Sequence, residues 1–443
     1  MILVGNGTVV TMDNENPLIE SGAVLIDGPV IKAVGKEAEL RLLAPESSFV
    51  DARGGLILPG LINCHTHIYS GLARGLSIAG NHPKTFVDIL EGTWWAIDRH
   101  LTIPETKACA YATLLECIRN GVTTIFDHHA GFGAIEGSLF AIRDVCQEMG
   151  ERACLCYEVS ERDGMDKCRA SIQENADFID WAEKDRSGMF AAMFGGHALF
   201  TISDATFEQM VEANHGRTGF HIHVCEGMND VYDSVRNYGC HPIERLSYNG
   251  ILGPKTLLAH CIHVSPREMD LIKETGTMVV NNPQSNMNNA VGMAPALQLL
   301  HRGITVGMGT DAYLHDMLES LKTFILIQRH EAADPDIGFS EDMEMLFSNN
   351  RKIASLYFDK PLGILKEGAA ADVITMDYHP FTPFTADNIY GHILFGLTGR
   401  DTRNTIVNGK VLYQDRTFVT VDEEKINAFC REEAGKLWGE LNH

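Results

Sequence analysis

Eight apolar, strand-like runs recur down the middle of this 443-residue chain, each followed by a polar or glycine-containing turn and then a helix-like stretch. That alternation leaves few folds open. A strand followed by a helix, repeated, builds a parallel sheet, and eight such units are the number that closes a barrel. The runs are Leu56–Cys64, Thr123–Asp127, Ala153–Val159, Phe190–Phe194, Gly219–Val224, Thr256–Ala259, Thr277–Asn281 and Thr305–Gly309. Helical periodicity follows at Ile103–Asn120, Ile172–Lys184, Ala205–Ala213, Pro266–Glu274 and Pro295–Arg302. The prediction is a (β/α)8 TIM barrel over residues 56–357.

The flanks have another texture. Ile2–Val10, Ser21–Ile26 and Val30–Val34 read as short strands separated by Asp13-Asn14 and Asp27-Gly28. Ala371–Met376 reads as a strand, and Thr405–Val407 and Val411–Tyr413 flank Asn408-Gly409, a strong hairpin signal. A mixed-charge helix over Val421–Leu441 ends the chain. Residues 1–55 and 358–443 are therefore expected to meet in one small composite β-sandwich domain. The class is α/β, with two domains.

Composition narrows the function. An apolar fraction of 45% and a charged fraction of 21% describe a chain with a large core. The net charge of −23 argues against a nucleic-acid partner, because phosphate binding needs clustered Lys and Arg. It suits a neutral or zwitterionic small substrate. The 11 cysteines lack Cys-X2-Cys pairing and read as buried filler in a reducing compartment. Met1–Gly7 carries no basic segment, and no run approaches the roughly 20 apolar residues of a membrane span. The expectation is a cytoplasmic protein without a membrane partner, and a homodimer by the commonest symmetry.

In such a barrel the chemistry sits at the C-terminal strand ends. The first run ends in His65-Thr66-His67. Residues i and i+2 of a strand share a face, and two imidazoles there can ligate Zn²⁺ or Fe²⁺. The fifth run ends in His221-Ile222-His223-Val224-Cys225-Glu226, the sixth in His260-Cys261-Ile262-His263, and the eighth in Gly309-Thr310-Asp311. These polar residues, far apart in sequence, converge on one mouth. His221 lies deeper in its strand and His263 lies beyond the end of its own, so both read as structural. Asp127-His128-His129 ends the second strand, where His128 could hydrogen-bond a substrate. Trp94-Trp95 reads either as core or as a lid that stacks on a planar ring.

These strand ends resemble the amidohydrolase superfamily, in its cytosine deaminase and triazine hydrolase-like branch. The resemblance is carried by Leu58-Pro59-Gly60-Leu61-Ile62-Asn63-Cys64-His65-Thr66-His67, His223-Val224-Cys225-Glu226, Leu258-Ala259-His260-Cys261, Asn282-Pro283-Gln284-Ser285-Asn286-Met287 and Gly309-Thr310-Asp311. Gly363–Val373 and Ile406–Lys410 resemble the signatures of that branch's composite β domain. Within the branch the chain is most similar to aminohydrolases associated with selenium-metabolism genes.

The resemblance implies one divalent metal ion held by His65, His67, His223 and Asp311, with Zn²⁺ first and Fe²⁺ as the alternative. Relatives with two ions use a bridging Lys or acidic residue from a middle strand. Phe190–Leu199 offers none, and Glu158 near the end of the third strand is read as structural or supporting. The resemblance further implies Glu226, His260 and Asp311 as catalytic. Glu226 would act as general base and then acid, and His260 would stabilise the oxygen nucleophile. Candidate substrate contacts are Arg74, His128, His197 and Asn286. Gly196 stands where the family has Pro, and Asn288-Asn289 where many relatives carry Lys-Leu. The implied activity is a metal-dependent aminohydrolase (deaminase) that uses activated hydroxide on an amino-substituted nitrogen heterocycle such as a purine, pyrimidine or pterin. One alternative is cyclic amide or amidine ring opening, or chlorohydrolysis, on the same site. The other is a non-catalytic interaction barrel.

Overall fold

The computed structural model describes residues 1–442. At its centre parallel strands run in chain order: Leu61–Thr66, Val122–His129, Arg152–Tyr157, Phe190–Ala192 with Phe194–Ala198, Phe220–Val224, Leu257–His260, Met278–Asn281 and Val306–Met308. Hydrogen bonds group them into a four-stranded and a five-stranded parallel sheet. Met193 divides one strand position into two pieces, so the nine segments fill eight positions. Two parallel bridges join the sheets, Val159 with Gly196 on one side and Thr66 with Asp311 on the other. The protein is a (β/α)8 TIM barrel. Its strands are buried along their whole length, as the near-continuous apolar runs require.

Local chemistry sets the outer helices. Thr102 and Glu105 form a capping box at the start of Ile103–Arg119, with Pro104 in the first turn. Ser265 and Glu268 do the same for Pro266–Glu274. The helix expected at Ile172–Lys184 begins earlier and spans Met165–Ala182. Its start at Gly164 has no side-chain cap to announce it.

The run expected as one strand, Leu56–Cys64, is two. Leu56–Pro59 belongs to the sheet of the termini and Leu61–Thr66 to the barrel. Gly60 is the joint: its amide donates to the Asp372 carbonyl (3.0 Å), and the next amide, of Leu61, donates to Gly121 (2.9 Å). A Cβ at Gly60 would stand 2.2 Å from Thr123 Oγ1, so only glycine fits.

The strands of the two termini are hydrogen-bonded as one continuous sheet of nine. Leu56–Pro59 sits in its middle, parallel to Ile2–Val10 and antiparallel to Val373–Met376. The hairpin at Asn408-Gly409 has both residues in the left-handed region (φ 50° and 76°), as its sequence requires. A buried ion pair between Arg152 and Asp372 ties barrel to sheet. No helix among the described residues is long and apolar enough to cross a membrane.

Candidate active site

The strand ends bring a cluster of buried histidines and one aspartate together. Asp311 Oδ1 stands 3.0 Å from His67 Nε2 and 3.7 Å from His65 Nε2, and Asp311 Oδ2 stands 3.7 Å from His260 Nε2. His67 Nε2 and His223 Nε2 are 3.1 Å apart. His65, His223, His260 and Asp311 offer atoms that all lie within 4.8 Å of one another. The four expected ligands thus stand together, and His260 joins them as a fifth group. Irregular backbone aims these side chains. Cys225, His260, Cys261 and Asp311 all have positive φ (53°, 76°, 50° and 56°), a conformation that non-glycine residues adopt where surrounding structure imposes it. At the first strand the amides of Thr310 and Asp311 both donate to the His65 carbonyl (3.0 and 2.9 Å).

Outward hydrogen bonds fix which ring nitrogens face inward. The Nδ1–H groups of His67 and His223 donate to the carbonyls of His128 (2.6 Å) and His197 (2.9 Å). His260 Nδ1–H donates to Asn286 Oδ1 (2.8 Å), and His65 Nδ1 pairs with His221 Nε2 (2.9 Å). A neutral imidazole with its proton on Nδ1 keeps a lone pair on Nε2. The Nε2 atoms of His65, His67, His223 and His260 therefore converge on one another and on a carboxylate. His65 Nε2 and His260 Nε2 have no hydrogen-bond partner at all. Such a group of bare nitrogens and a carboxylate, each oriented from behind, needs a positive charge at its centre. It fits a divalent metal ion, and the outward partners are the supports that metal-bound histidines use.

The charges respond to this crowding. Burial lowers His67, but the hydrogen bond and charge of Asp311 more than reverse it, to about 9. Burial would raise the Asp311 carboxyl, yet His67, His260 and His223 hold it below the usual carboxylate range. His65 and His223 are held well below the normal imidazole value, first by burial and then by neighbouring imidazoles. Glu226, three residues past His223, is raised well above the ordinary carboxyl by burial and then by Asp311. Its carboxylate lies 3.5 Å from His260 Nε2 and accepts from Asn289 Nδ2 at 3.3 Å.

Comparison with known proteins agrees with this geometry. The pattern of the amidohydrolase family matches residues 56–412. The chain belongs to the amidohydrolase family. It is 29% identical to a 5'-deoxyadenosine deaminase of Methanosarcina mazei over 453 aligned residues, covering 100% of this chain and 99% of the relative. It is 31% identical to a 5-methylthioadenosine/S-adenosylhomocysteine deaminase of Thermococcus onnurineus, covering 94% of each. Among solved structures it is similar to the zinc complex of atrazine chlorohydrolase TrzN from Arthrobacter aurescens, with 26% identity, a TM-score of 0.82 and coverage of 98% and 100%. This amidohydrolase is a hydrolase of carbon–nitrogen bonds other than peptide bonds.

A cavity opens from the amidohydrolase's cluster of histidines and aspartate. His67, His223, Glu226 and Asp311 form its floor, and Tyr69, Phe86, Trp94, Trp95, Phe200 and Tyr313 form much of its wall. Trp95 and Phe200 both pack near the His197 ring, at centroid distances of 5.8 and 5.7 Å. Of the four residues expected to touch substrate, His197 alone lines this cavity. Arg74 lies outside it: its guanidinium is bound to Glu116 Oε2 at 2.6 Å and lines an adjoining groove that shares Trp94, Asn288, Ala312 and Tyr313 with the cavity. Asn286 and His128 do not line it either. They are buried behind the site, where Asn286 orients His260 and the His128 carbonyl orients His67. Trp94 and Trp95 lie on the cavity wall. Glu158, set aside from sequence, lines the cavity as well, as do Asp230, Ser285 and Asn289. Asp230 ties the loop together: it accepts from the amides of Cys225 (2.7 Å) and Phe200 (3.3 Å). Ser285 donates to Asp311 Oδ2 at 2.6 Å. For Ser285 and Asn289 the Ser-Asn-Met signature was the available signal; for Asp230 no sequence signal existed.

Proposed function

We propose that this amidohydrolase removes an amino group, as ammonia, from a nitrogen heterocycle of the purine, pyrimidine or pterin class, with one Zn²⁺ held by His65, His67, His223 and Asp311. The observation that carries the reading is the convergence of inward Nε2 atoms on Asp311, those of His65 and His260 without a partner, beside a carboxyl, Glu226, that can exchange a proton. Bound there, the cation would supply Lewis acidity that makes water nucleophilic near neutral pH. Glu226 takes the proton of the attacking water and passes it to the ring nitrogen or the leaving amine. His260, held by Asn286, presents Nε2 to the oxygen that adds. Ser285 keeps Asp311 in place. The C–O bond forms, the C–N bond breaks, and ammonia leaves. The aromatic wall suits a planar ring. Relatives named for deoxyadenosine and methylthioadenosine deamination support a purine nucleoside as the first substrates to try.

We also read the two sequence blocks, 1–55 with 358–443 and 56–357, as a supporting domain and a catalytic domain, with the strand Leu56–Pro59 passing to the supporting sheet. Eleven unpaired cysteines, ten of them buried, support a reducing, cytoplasmic setting.

Metal analysis and an ammonia-release screen of aminopurines, their nucleosides, aminopyrimidines and pterins test the proposal. About one zinc per chain with ammonia release is expected. Stoichiometric metal without turnover on that panel would refute deamination. The similarity to atrazine chlorohydrolase favours one second reading, attack at a ring carbon that releases another leaving group. Product mass separates the two.

A further inference from the structure

Glu158 is out of keeping with its surroundings. It ends the third barrel strand, is 3% exposed, and faces the cavity beside the metal cluster. A carboxylate in such a place should be satisfied, because an unpartnered buried charge is costly. Three ring nitrogens surround Oε1, His128 Nδ1 at 3.5 Å, His223 Nδ1 at 3.6 Å and His197 Nε2 at 3.9 Å, all beyond ordinary hydrogen-bond length.

Two of these nitrogens have no hydrogen to give in the neutral ring, and the third is committed. His128 Nε2 sits 3.1 and 3.0 Å from the carbonyls of Gly196 and His221, so it carries the proton and Nδ1 is bare. His128 Nδ1 accordingly has no partner. His197 Nδ1 lies 2.7 Å from Thr201 Oγ1, whose hydroxyl donates to the Ala198 carbonyl at 3.0 Å. His197 Nδ1 is therefore the donor there, and its Nε2 faces Glu158 bare. The His223 Nδ1–H already donates to the His197 carbonyl. On the cavity side this point therefore presents two acceptors, the Glu158 carboxylate and His197 Nε2.

The charge of the whole cavity points the same way. Four carboxyl groups line it, Glu158, Glu226, Asp230 and Asp311, and among the described residues no Lys or Arg does. The guanidinium of Arg162 packs over Trp95 and is bound to Asp98.

We infer that Glu158, with His197 Nε2, is a specificity site that receives N–H donors from the substrate ring. The substrate class is then a heterocycle with an amino or ring N–H edge, and phosphorylated ligands are rejected. The inference rests on the deaminase reading for the placement of the reacting carbon above His67 and Asp311. A cation bridging Glu158 and the imidazoles is the competing occupant. The paired acceptors of Glu158 and His197 beside an aromatic slot favour the ring.

The test uses the zinc-loaded protein and paired product-like ligands that differ at one edge, 2-aminopyrimidin-4-one against pyrimidin-4-one, titrated by calorimetry. A site built for a donor discriminates against the analogue that lacks it, so the wild type should prefer the 2-amino ligand by on the order of 100-fold. In Glu158→Gln that ratio should shrink to about threefold with zinc content unchanged. A nucleoside should bind the wild type at least about tenfold more tightly than its 5'-monophosphate, a comparison that needs no variant. Equal wild-type affinity for the two pyrimidinones overturns the inference. So does equal weakening of both in Glu158→Gln, which would make Glu158 a positioning residue for His223. A second metal ion lost in Glu158→Gln overturns it as well. The ammonia screen fails independently: a donor preference without ammonia release would leave this site standing and remove the deaminase reading.

Discussion

At the scale of single residues, the site separates groups that hold, groups that react and groups that orient. Glu226→Gln should retain metal and lose about 10²–10⁴ in kcat, since the amide cannot carry the proton. Metal content and steady-state rates check this, and a variant within tenfold of wild type would remove Glu226 from the proton path. Asn286 acts only through His260, so Asn286→Ala should cost roughly 10–100-fold in kcat with little change in KM. Arg74, spent on Glu116, should tolerate alanine with kcat/KM within about threefold of wild type, the small effect of a surface ion pair. The histidines and Asp311 were legible because each closes an apolar run, where a barrel places its chemistry. The pairing of Arg74 with Glu116 was not legible, because a partner on a neighbouring helix cannot be read from spacing. The aromatic wall and the exposure of Glu158 to the cavity depend on loop paths that carry no periodicity.

At the scale of elements, the hydrophobic pattern announced all eight barrel strands to within a few residues, but one boundary escaped it. An apolar run says that a segment is buried, not which sheet buries it. Leu56–Pro59 and Leu61–Thr66 read as one strand because both are apolar; the change of hydrogen-bond partner at Gly60 is tertiary. Gly60→Ala drives a methyl into Thr123 and should destabilise the protein by about 1–3 kcal/mol, read as a lower denaturant midpoint. Unchanged stability would mean that the two strands can slide apart at no cost. The left-handed turns at Cys225, His260 and Asp311 were equally hidden, because none of them carries the glycine that usually marks such a conformation.

At the scale of the whole molecule, the barrel buries ionisable groups of both signs, and their pH effects oppose. His129 is held near 3 by burial, with neither ring nitrogen partnered. Asp127 is raised to about 7, also by burial. For His129 the folded value lies below the unfolded one, so its contribution is complete above pH 6.5 and is lost as the pH falls toward 3. For Asp127 the order is reversed, and its contribution is lost as the pH rises from about 4 to 7. Single variants separate the two. His129→Leu should gain stability relative to wild type by up to about 1.4 kcal/mol per pH unit on acidification below 6.5. Urea unfolding at pH 7.5, 6 and 5 checks it, and a difference that does not vary with pH would contradict the burial argument. A last consequence lies in the order in which the chain is made. Leu56–Pro59 lies between Ile2–Val10 and Val373–Met376, one residue from the strand that carries His65 and His67. The last barrel helix ends at Ala354, so the strand that pairs with the open edge of Leu56–Pro59 is made only after the whole barrel. A chain cut before Val373 would keep every barrel strand and still leave its first histidines hung from a sheet that lacks four of its nine strands.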